Sequence, residues 1–286
     1  MIIGCHNFVS QKYCILIEIN KFMSKLNGKI IWITGASSGI GEELSKQLSE
    51  KGCKLIISAR REAELQRVKA SCINSETITV LPFDLANIDS MKSLAERAVA
   101  IYGKIDVLIN NGGISQRSPI IETSIEVDRK IMEIDYLGTV ALSKAILPHF
   151  ITNASGHYVV VSSLMGKFSS PLRSSYCGAK HALHGFFDAL RLEHEKDNVK
   201  VTMVCPGFVN TNVARNALTS NGSKQGYQDE MTEKGLDVSV FTKKMIRAIR
   251  HNKFEVYIGK FEKVGAYLKR LSPKLLHKMV LRSKVR

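Results

Sequence analysis

The chain has 286 residues, and 44% of them are hydrophobic. A chain of this size and composition can bury a sizeable core in one domain, or at most in two. Its 41 basic and 26 acidic residues give a formal net charge of +15, and residues 260–286, with nine Lys/Arg and one Glu, supply more than half of that excess. The rest of the chain is mildly basic, which suits an anionic cofactor and gives no reason to expect nucleic acid as a partner.

Six cysteines are scattered along the chain, at Cys5, Cys14, Cys53, Cys72, Cys177 and Cys205. They form no Cys-x-x-Cys pair and have no histidines at the spacing of metal ligands. A reduced cysteine in an apolar run behaves as a small core residue. We therefore expect a reducing, cytoplasmic environment and no metal.

Residues 1–24 are predicted to be an N-terminal extension without a role in the fold. Their apolar run at 14–19 is interrupted by Glu18 and is too short to span a bilayer, and no small-residue cleavage site follows an adequate apolar run. An extension is therefore favoured over a membrane anchor.

Seven short apolar runs are predicted to be buried strands, at 29–34, 54–59, 77–83, 105–110, 157–163, 199–205 and 254–259. Helical patterns alternate with them, the longest at about 127–150 and 176–195. This alternation predicts an α/β fold, a Rossmann-like doubly wound sheet of about seven parallel strands with helices on both faces. We assign 25–259 to a single catalytic domain, with the polar insertion 208–237 as a lid over the site.

A glycine-rich loop lies directly between the first strand and the following helix. Glycines let the backbone approach a ligand closely, and the helix N-terminus offers free N–H groups to a phosphate. This context predicts dinucleotide binding. The expected cofactor-binding residues of the loop are Gly35, Ser37, Ser38, Gly39, Ile40 and Gly41.

The end of the second strand predicts NADP(H) as the cofactor. Ala59 occupies the position where NAD-preferring sites usually carry an acid, and Arg60 follows it. An acid there would repel a 2′-phosphate, whereas an arginine attracts one. The alternative is that Arg60 and Arg61 are solvated charges at a helix start, where cations are disfavoured.

Further cofactor contacts are expected after the later strands. Asp84, followed by Leu85, could accept hydrogen bonds from an adenine amino group, or could instead cap the next helix. Asn111 and Gly112 form a turn that can approach the cofactor ring, and Pro206-Gly207 forms a turn after the sixth strand.

Ser163, Tyr176 and Lys180 are the candidate catalytic residues. A tyrosine four residues before a lysine shares one helix face with it, so the ammonium favours the phenolate. Ser163 lies thirteen residues before Tyr176 at a strand end, from which its hydroxyl can reach a substrate oxygen. Together the three can move a proton while a cofactor moves a hydride.

Taken together, these motifs resemble the short-chain dehydrogenase/reductase family over about Lys25 to Gly259. They are several, ordered and correctly spaced, from the glycine loop through Tyr176-(x3)-Lys180 to Pro206-Gly207. The segment from Lys180 to Phe187 is similar to the branch that contains 11-beta-hydroxysteroid dehydrogenase, and the stretch from Phe208 through the tail resembles dehydrogenase/reductase member seven.

The resemblance implies an NADP(H)-dependent oxidoreductase acting on a ketone, an aldehyde or a secondary alcohol, including lipophilic ones. By resemblance, Tyr176 is the general acid/base and Ser163 binds the substrate oxygen. Tyr176 and Lys180 also bind the cofactor, with Lys180 at the nicotinamide ribose. Val209 and Thr211 belong to the cofactor site, with Thr211 at the carboxamide. The resemblance also implies a homodimer or homotetramer through the two longest helices.

One residue departs from the family pattern. Asp135 stands where the family usually has an asparagine that holds a water in the proton relay behind the lysine. A carboxylate there could accept a hydrogen bond from such a water and pair with Lys180, so we include Asp135 among the catalytic candidates. It also motivates an alternative, an NADP-binding scaffold or regulatory protein with impaired turnover.

Residues 260–286 form a basic amphipathic tail. Its aliphatic residues alternate with lysines and arginines, which suits peripheral contact with an anionic membrane surface. Packing of the tail on its own domain or on a partner subunit is the equally favoured alternative.

Overall fold

The computed structural model of the protein describes residues 26–283. The predicted extension at 1–24, with its apolar run at 14–19, lies outside the described residues, as do the last three residues of the tail. Among the described residues, all four cysteines are buried and free of disulfides, at Cys53, Cys72, Cys177 and Cys205.

A seven-stranded parallel sheet forms the centre of the molecule, in the order β3-β2-β1-β4-β5-β6-β7. Its central strands are continuous apolar runs because helices cover both faces of the sheet. The predicted Rossmann-like fold is therefore confirmed. The strands are β1 (Ile30–Thr34), β2 (Lys54–Ser58), β3 (Ile78–Val80), β4 (Val107–Asn110), β5 (Gly156–Val161), β6 (Val199–Pro206) and β7 (Glu255–Ile258).

The third strand is shorter than the predicted run 77–83. Pro82 has no N–H to donate, so a regular ladder cannot continue through it. Pairing persists on either side of the proline, because Leu81 N donates to Ile57 O and Phe83 N donates to Ala59 O. The chain thus continues beside β2 without regular strand geometry and brings Asp84 to the edge of the sheet where the strands have their carboxyl ends.

Ten α-helices are found in the described part of the chain. They are α1 (Gly39–Ser49), α2 (Glu62–Ala70), α3 (Met91–Tyr102), α4 (Ile125–Ile131), α5 (Thr139–Thr152), α6 (Ser174–Glu193), α7 (Glu230–Glu233), α8 (Val238–Arg250), α9 (Val264–Leu271) and α10 (Pro273–Arg282). On one face of the sheet, α1, α2 and α8 pack through Leu44, Val68 and Phe241. On the other, α3, α5 and α6 pack through Leu94, Leu142 and Phe187.

The helix predicted at 127–150 contains an irregular segment. A π-helical segment, Met132–Gly138, lies between α4 and α5. Such wide turns occur frequently at functional sites, and this one contains Asp135.

The carboxyl ends of the strands bring the predicted motifs to one edge of the sheet. β1 pairs with β2 on one side and with β4 on the other. Successive strands are therefore added in one direction from β1 to β3 and in the opposite direction from β4 to β7. Ligands of doubly wound sheets bind in the crevice at such a switch point. The glycine loop follows β1 there, and the Asn111-Gly112 turn follows β4.

The tail folds back on the body of the protein through one face. Leu276 of α10 is buried with Leu164, Phe168 and Cys205. The side chain of Glu262 accepts hydrogen bonds from the backbone N–H groups of Phe208 (3.0 Å) and Lys260 (3.1 Å). The packing alternative therefore describes this face, whereas Leu271, Leu275 and Leu281 remain exposed.

No helix between residues 26 and 283 has the length and apolar character needed to cross a membrane.

Candidate active site

Asp135 and Lys180 meet behind the end of β5. Lys180 Nζ lies 3.3 Å from Asp135 Oδ2 and donates a hydrogen bond to Val161 O at 3.2 Å. Asp135 Oδ1 accepts a hydrogen bond from Ile114 N at 2.7 Å. The π-helical segment therefore fixes the carboxylate between the loop after β4 and the catalytic helix α6.

The same ammonium faces the candidate acid. Lys180 Nζ lies 5.6 Å from the centre of the Tyr176 ring, as the four-residue spacing on α6 predicts. Tyr176 is half-buried, whereas Lys180 is buried. The tyrosine can thus meet a substrate while the lysine stays shielded from water, where its charge acts more strongly.

Burial and charge oppose each other at this pair. Burial alone would lower the pKa of Lys180, but the interactions with Asp135 and, after it, with Tyr176 outweigh burial and raise that pKa above its ordinary value. Complete burial raises the pKa of Asp135, and Lys180 and the Ile114 N–H offset only part of that increase. The carboxylate therefore keeps the lysine charged at neutral pH.

Ser163 lies just beyond β5 with extended backbone geometry. Its side chain is buried and accepts a hydrogen bond from Met165 N at 3.0 Å, which caps a short 3-10 turn at Leu164–Gly166. The hydroxyl hydrogen is not needed for that cap. It remains able to donate to a substrate oxygen.

The glycine loop can only be built from glycines at its closest contacts. Gly35 has a φ of +65°, and a Cβ on it would lie 2.7 Å from Gly112 Cα. A Cβ on Gly41 would lie 2.3 Å from Gly35 O. Gly39 is close to the Thr211 side chain, at 3.2 Å from a built Cβ. The loop, the turn after β4 and Thr211 therefore come together at the switch point of the sheet.

Asn111 braces the glycine loop. Its side-chain amide donates to Thr34 O at 2.9 Å and to Gly35 O at 3.2 Å. Thr34 Oγ1 in turn accepts hydrogen bonds from the backbone N–H groups of Asn111 and Gly112. The predicted cofactor residue Asn111 thus holds the glycine loop against the end of β4.

Ser38 and Ile40 stand at the start of α1 within the same loop. Ser38 is the N-cap residue and has extended geometry without a side-chain cap, so its hydroxyl is free of that task. The first N–H groups of a helix have no intrahelical partners. The start of α1 therefore offers donors to a phosphate.

Two arginines follow β2 at the carboxyl-terminal edge of the sheet. The Arg60 side chain is 62% exposed and lies 3.9 Å from Asp84 through Nη1 and Oδ2. Arg61 Nη2 lies 3.5 Å from Ser37 Oγ, on the glycine loop itself. Sequence reasoning selected Arg60; the contact with Ser37 adds Arg61, which only the fold could reveal.

The remaining predicted cofactor residues lie at the same edge of the sheet. Leu85 packs against Gly138, because a Cβ on Gly138 would lie 2.2 Å from Leu85 O. Pro206 ends β6, and a Cβ on Gly207 would lie 2.1 Å from Glu262 Oε1. Val209 is buried and pairs with Leu236 in an isolated parallel bridge. Glu262 was not predicted, although it is the single acid of the tail.

Three segments come together beside the candidate catalytic residues. Gln116 pairs with Leu218 in a parallel bridge, and Ser118 N donates to Leu172 O at 3.1 Å. The Gln116 side chain also accepts from Ser175 N at 2.9 Å, at the start of α6. These contacts therefore join the loop after β4 to the start of α6 and to the insertion 208–237.

A buried polar cluster that the sequence did not suggest lies below Ser163. His184 Nε2 lies 3.1 Å from Ser162 Oγ and 3.7 Å from Cys205 Sγ, and His184 Nδ1 lies 3.4 Å from Glu255 Oε2. The side chains of His184, Cys205 and Glu255 could together ligate a metal ion. However, Lys167 already pairs with Glu255 at 2.7 Å, which competes with a cation for that carboxylate.

Comparisons with known proteins agree with this geometry. A family model described as short chain dehydrogenase matches residues 29–222. The chain is 40% identical over 264 residues to dehydrogenase/reductase SDR family protein 7-like of Drosophila melanogaster, covering 90% of this chain and 81% of that protein. It is 38% identical over 271 residues to dehydrogenase/reductase SDR family member 7B of Mus musculus, covering 93% and 84%.

A third relative is dehydrogenase/reductase SDR family member 7 of Homo sapiens, 45% identical over 206 residues, covering 70% of this chain and 61% of that protein. Among solved structures, a short chain dehydrogenase/reductase from Burkholderia phymatum in complex with NAD aligns with a TM-score of 0.78 at 20% identity, covering 88% of this chain and 96% of that one. A short-chain dehydrogenase from Streptomyces avermitilis aligns with a TM-score of 0.76 at 25% identity, covering 90% and 98%.

The solved structures share the fold, and the family model and the curated relatives share the sequence over most of the chain. The chain therefore belongs to the short-chain dehydrogenase/reductase family, in the branch of dehydrogenase/reductase members 7 and 7B.

Proposed function

We propose that the protein is an NADP(H)-dependent oxidoreductase that interconverts a ketone or aldehyde with the corresponding alcohol. The observation that carries the proposal is the buried Lys180, held between Asp135 and Val161 O and facing the half-buried Tyr176. A charged lysine beside a phenol at the open end of a sheet is suited to proton transfer. A merely structural helix would have little use for this arrangement.

The residues at the switch point of the sheet fit a dinucleotide. Close backbone approach at Gly35, Gly41 and Gly112 leaves no room for side chains, and the start of α1 offers N–H donors to a pyrophosphate. Bound NADPH would supply the hydride. Everything else in the reaction falls to this chain's own side chains.

In the reducing direction, Ser163 donates a hydrogen bond to the carbonyl oxygen and stabilises negative charge as it develops there. Tyr176 gives its phenolic proton to that oxygen. Lys180 stabilises the phenolate that remains, and Asp135 keeps Lys180 protonated. Oxidation of an alcohol runs through the same groups in reverse.

A preference for NADP(H) over NAD(H) rests on the end of β2. Ala59 supplies no carboxylate to repel a 2′-phosphate, while Arg60 is exposed and Arg61 lies beside Ser37. Arginines bind phosphate with paired N–H donors. These contacts support NADP(H), although one solved relative binds NAD.

A homo-oligomer is the expected assembly. A groove of about 740 Å³ runs between α3 and α5. Of these two helices, α5 belongs to the long helix 127–150, through which the family resemblance implies an oligomer. The lining combines small and apolar residues with charged ones, namely Met91, Ala95, Val99, Ala141, Ala145 and Pro148 with Asp89, Lys92, Glu96 and Lys144. Ala145→Arg should reduce the sedimentation coefficient if a second copy binds there.

Peripheral membrane contact is proposed for the exposed face of the tail. Leu271 is 82% exposed and Leu275 is 49% exposed, and exposed basic residues flank them, namely Lys269, Arg270, Lys274, Lys278 and Arg282. Apolar residues among basic ones suit an anionic lipid surface. Changing Leu271 and Leu275 to Ser should abolish binding to anionic vesicles; retained binding would contradict the proposal.

The test of the proposed function is carbonyl-dependent oxidation of NADPH by the full chain, using a panel of ketones and aldehydes. Turnover in the wild type and its loss in Tyr176→Phe would support an enzyme. Tight NADPH binding without turnover on any carbonyl would instead favour the scaffold alternative.

A further inference from the structure

Two arginines next to the catalytic helix share a single carboxylate. Arg117 lies in the loop after β4, Arg173 immediately precedes α6, and Asp229 belongs to the insertion 208–237. Asp229 Oδ2 lies 2.8 Å from Arg117 Nη2 and 3.7 Å from Arg173 Nη2. The side chains of Arg117, Arg173 and Asp229 are only 10%, 6% and 12% exposed, in that order. The cluster therefore holds an excess positive charge away from water.

An excess buried charge is costly unless a partner neutralises it. Burial, together with the neighbouring Arg117, lowers the pKa of Arg173 to about 10 despite the attraction of Asp229. Arg117 engages Asp229 through both Nε and Nη2. Arg173, by contrast, lies beyond hydrogen-bond distance of that carboxylate. The negative charge is thus committed mainly to Arg117.

Arg173 retains unused capacity to donate hydrogen bonds. Within residues 26–283, its guanidinium donates one hydrogen bond, to Ser170 Oγ at 3.1 Å. A guanidinium carries five N–H groups in a fixed fork that matches the oxygens of a carboxylate or a phosphate. Arg173 is therefore suited to an acceptor that the protein itself does not provide.

The cluster adjoins the candidate catalytic groups. Arg173 precedes Tyr176 by three residues, and its carbonyl accepts a hydrogen bond from Cys177 N at 2.8 Å in the first turn of α6. Arg117 follows Gln116, whose side chain holds Ser175 N. An anion bound by these arginines would therefore lie at the start of α6, within one turn of Tyr176 along the chain.

We propose that Arg117 and Arg173 bind an oxyanion of the substrate, so that the protein acts on carbonyl compounds that carry a carboxylate or phosphate group. Asp229 competes for the arginines and partly neutralises them until that anion arrives. This inference rests on the proposed function, because it assigns a substrate class to the same site. Carboxylate and phosphate share the recognition chemistry, and the test below separates them.

The experiment compares 4-carboxybenzaldehyde and 4-formylphenyl phosphate with the uncharged methyl 4-formylbenzoate as substrates. Arg173→Gln should lower kcat/KM for at least one of the anionic aldehydes about tenfold or more, because a charge-assisted hydrogen bond is lost, and should leave the ester unchanged. Arg173→Lys should retain part of the preference. Arg215→Gln is the matched control, since it removes an exposed arginine of the same insertion.

Asp229→Asn gives an independent result of the opposite sign. Asn still accepts the hydrogen bond that Asp229 Oδ1 takes from Thr232 N at the start of α7, but it no longer competes for the arginines. We expect kcat/KM for the same anionic aldehyde to rise while the ester stays constant. Equal changes for charged and neutral aldehydes in the arginine variants, or no rise in Asp229→Asn, would show a purely structural cluster and overturn the proposal.

Calorimetric titration with benzoate, phenyl phosphate and benzamide separates this proposal from the proposed function, because it requires no turnover. Stronger binding of an anion than of benzamide, lost in Arg173→Gln, supports the subsite even if no aldehyde is reduced. If aldehydes are reduced but no anion preference exists, the proposed function stands and the subsite is wrong.

Discussion

The carboxylate of Asp135 lies 3.3 Å from the ammonium of Lys180, and both side chains are almost completely buried. The short-chain dehydrogenase/reductase family usually has an asparagine at this position, and the asparagine side chain carries no charge. In this protein a buried ion pair therefore replaces a neutral contact behind the candidate catalytic lysine. Breaking such a pair leaves one charge without compensation.

Asp135→Asn should move the alkaline limb of the pH profile of kcat/KM to lower pH. Asp135 raises the pKa of Lys180 against the effect of burial, so its removal lowers the pH at which the lysine loses its proton. Kinetics across the alkaline range measure the shift. Asp188→Asn, which removes an exposed acid paired with Arg191 on the same helix, should leave the profile unchanged.

The same pair makes stability depend on pH with a defined sign. A lysine whose folded pKa lies above its unfolded value contributes stability that is complete below the unfolded pKa and is lost as pH rises through the folded pKa. The wild type should therefore lose stability in the alkaline range, whereas Asp135→Asn should lose less there. Identical alkaline losses in chemical unfolding of both proteins would contradict the pairing.

Arg60→Gln should reduce the preference for NADPH over NADH. A hydrogen bond to a charged phosphate contributes about 1.5–3 kcal/mol, so affinity for NADPH should fall about tenfold or more. Affinity for NADH should stay within about twofold, because NADH has no 2′-phosphate. Fluorescence titration of both cofactors measures this, with Lys69→Gln on α2 as the control. Equal losses for both cofactors would remove Arg60 from the 2′-phosphate site.

Gly41→Ala should impair cofactor binding and destabilise the protein by about 1–3 kcal/mol, because its Cβ would lie 2.3 Å from Gly35 O. Gly178→Ala is the matched control. A Cβ on Gly178 meets nothing within 4 Å, and alanine in a helix should stabilise by about 0.5–1 kcal/mol. Thermal unfolding and NADPH titration distinguish the two. Tolerance of alanine at both positions would contradict the close packing of the loop.

Leu276→Ala should release the C-terminal helices from the body of the protein, whereas Leu275→Ala should not. Leu276 is 6% exposed and Leu275 is 49% exposed, so only the first leaves a cavity, at a cost of about 2–5 kcal/mol. Hydrogen exchange of α9 and α10 should accelerate in the first variant alone. Equal exchange in both would mean that the tail is held by other contacts, such as those of Glu262.

The sequence was informative where local patterns carry the structure. Buried parallel strands are continuous apolar runs, so all seven could be predicted, and the spacing of Tyr176 and Lys180 on one helix face follows from helix geometry. The π-helical segment could not be predicted, because its local apolar pattern is that of a regular helix, and the partners of its Asp135, Ile114 and Lys180, lie elsewhere in the chain.

Contacts between distant residues were also out of reach. Arg117 and Asp229 are 112 positions apart, and only the packing of the insertion on the loop after β4 brings them together. Leu276 and Glu262 looked like parts of a uniform basic tail, since a helical pattern does not reveal which face finds a neighbour. These misses concern the substrate side and the tail, where the chain is least regular.

The most direct test of the account is carbonyl-dependent NADPH oxidation in the wild type and in Tyr176→Phe, after fluorescence titration shows that both bind the cofactor. Loss of a general acid predicts that the rate at saturating NADPH falls by about 10²-fold or more in the variant. Equal rates in the two proteins would contradict the assignment of Tyr176 as the proton donor.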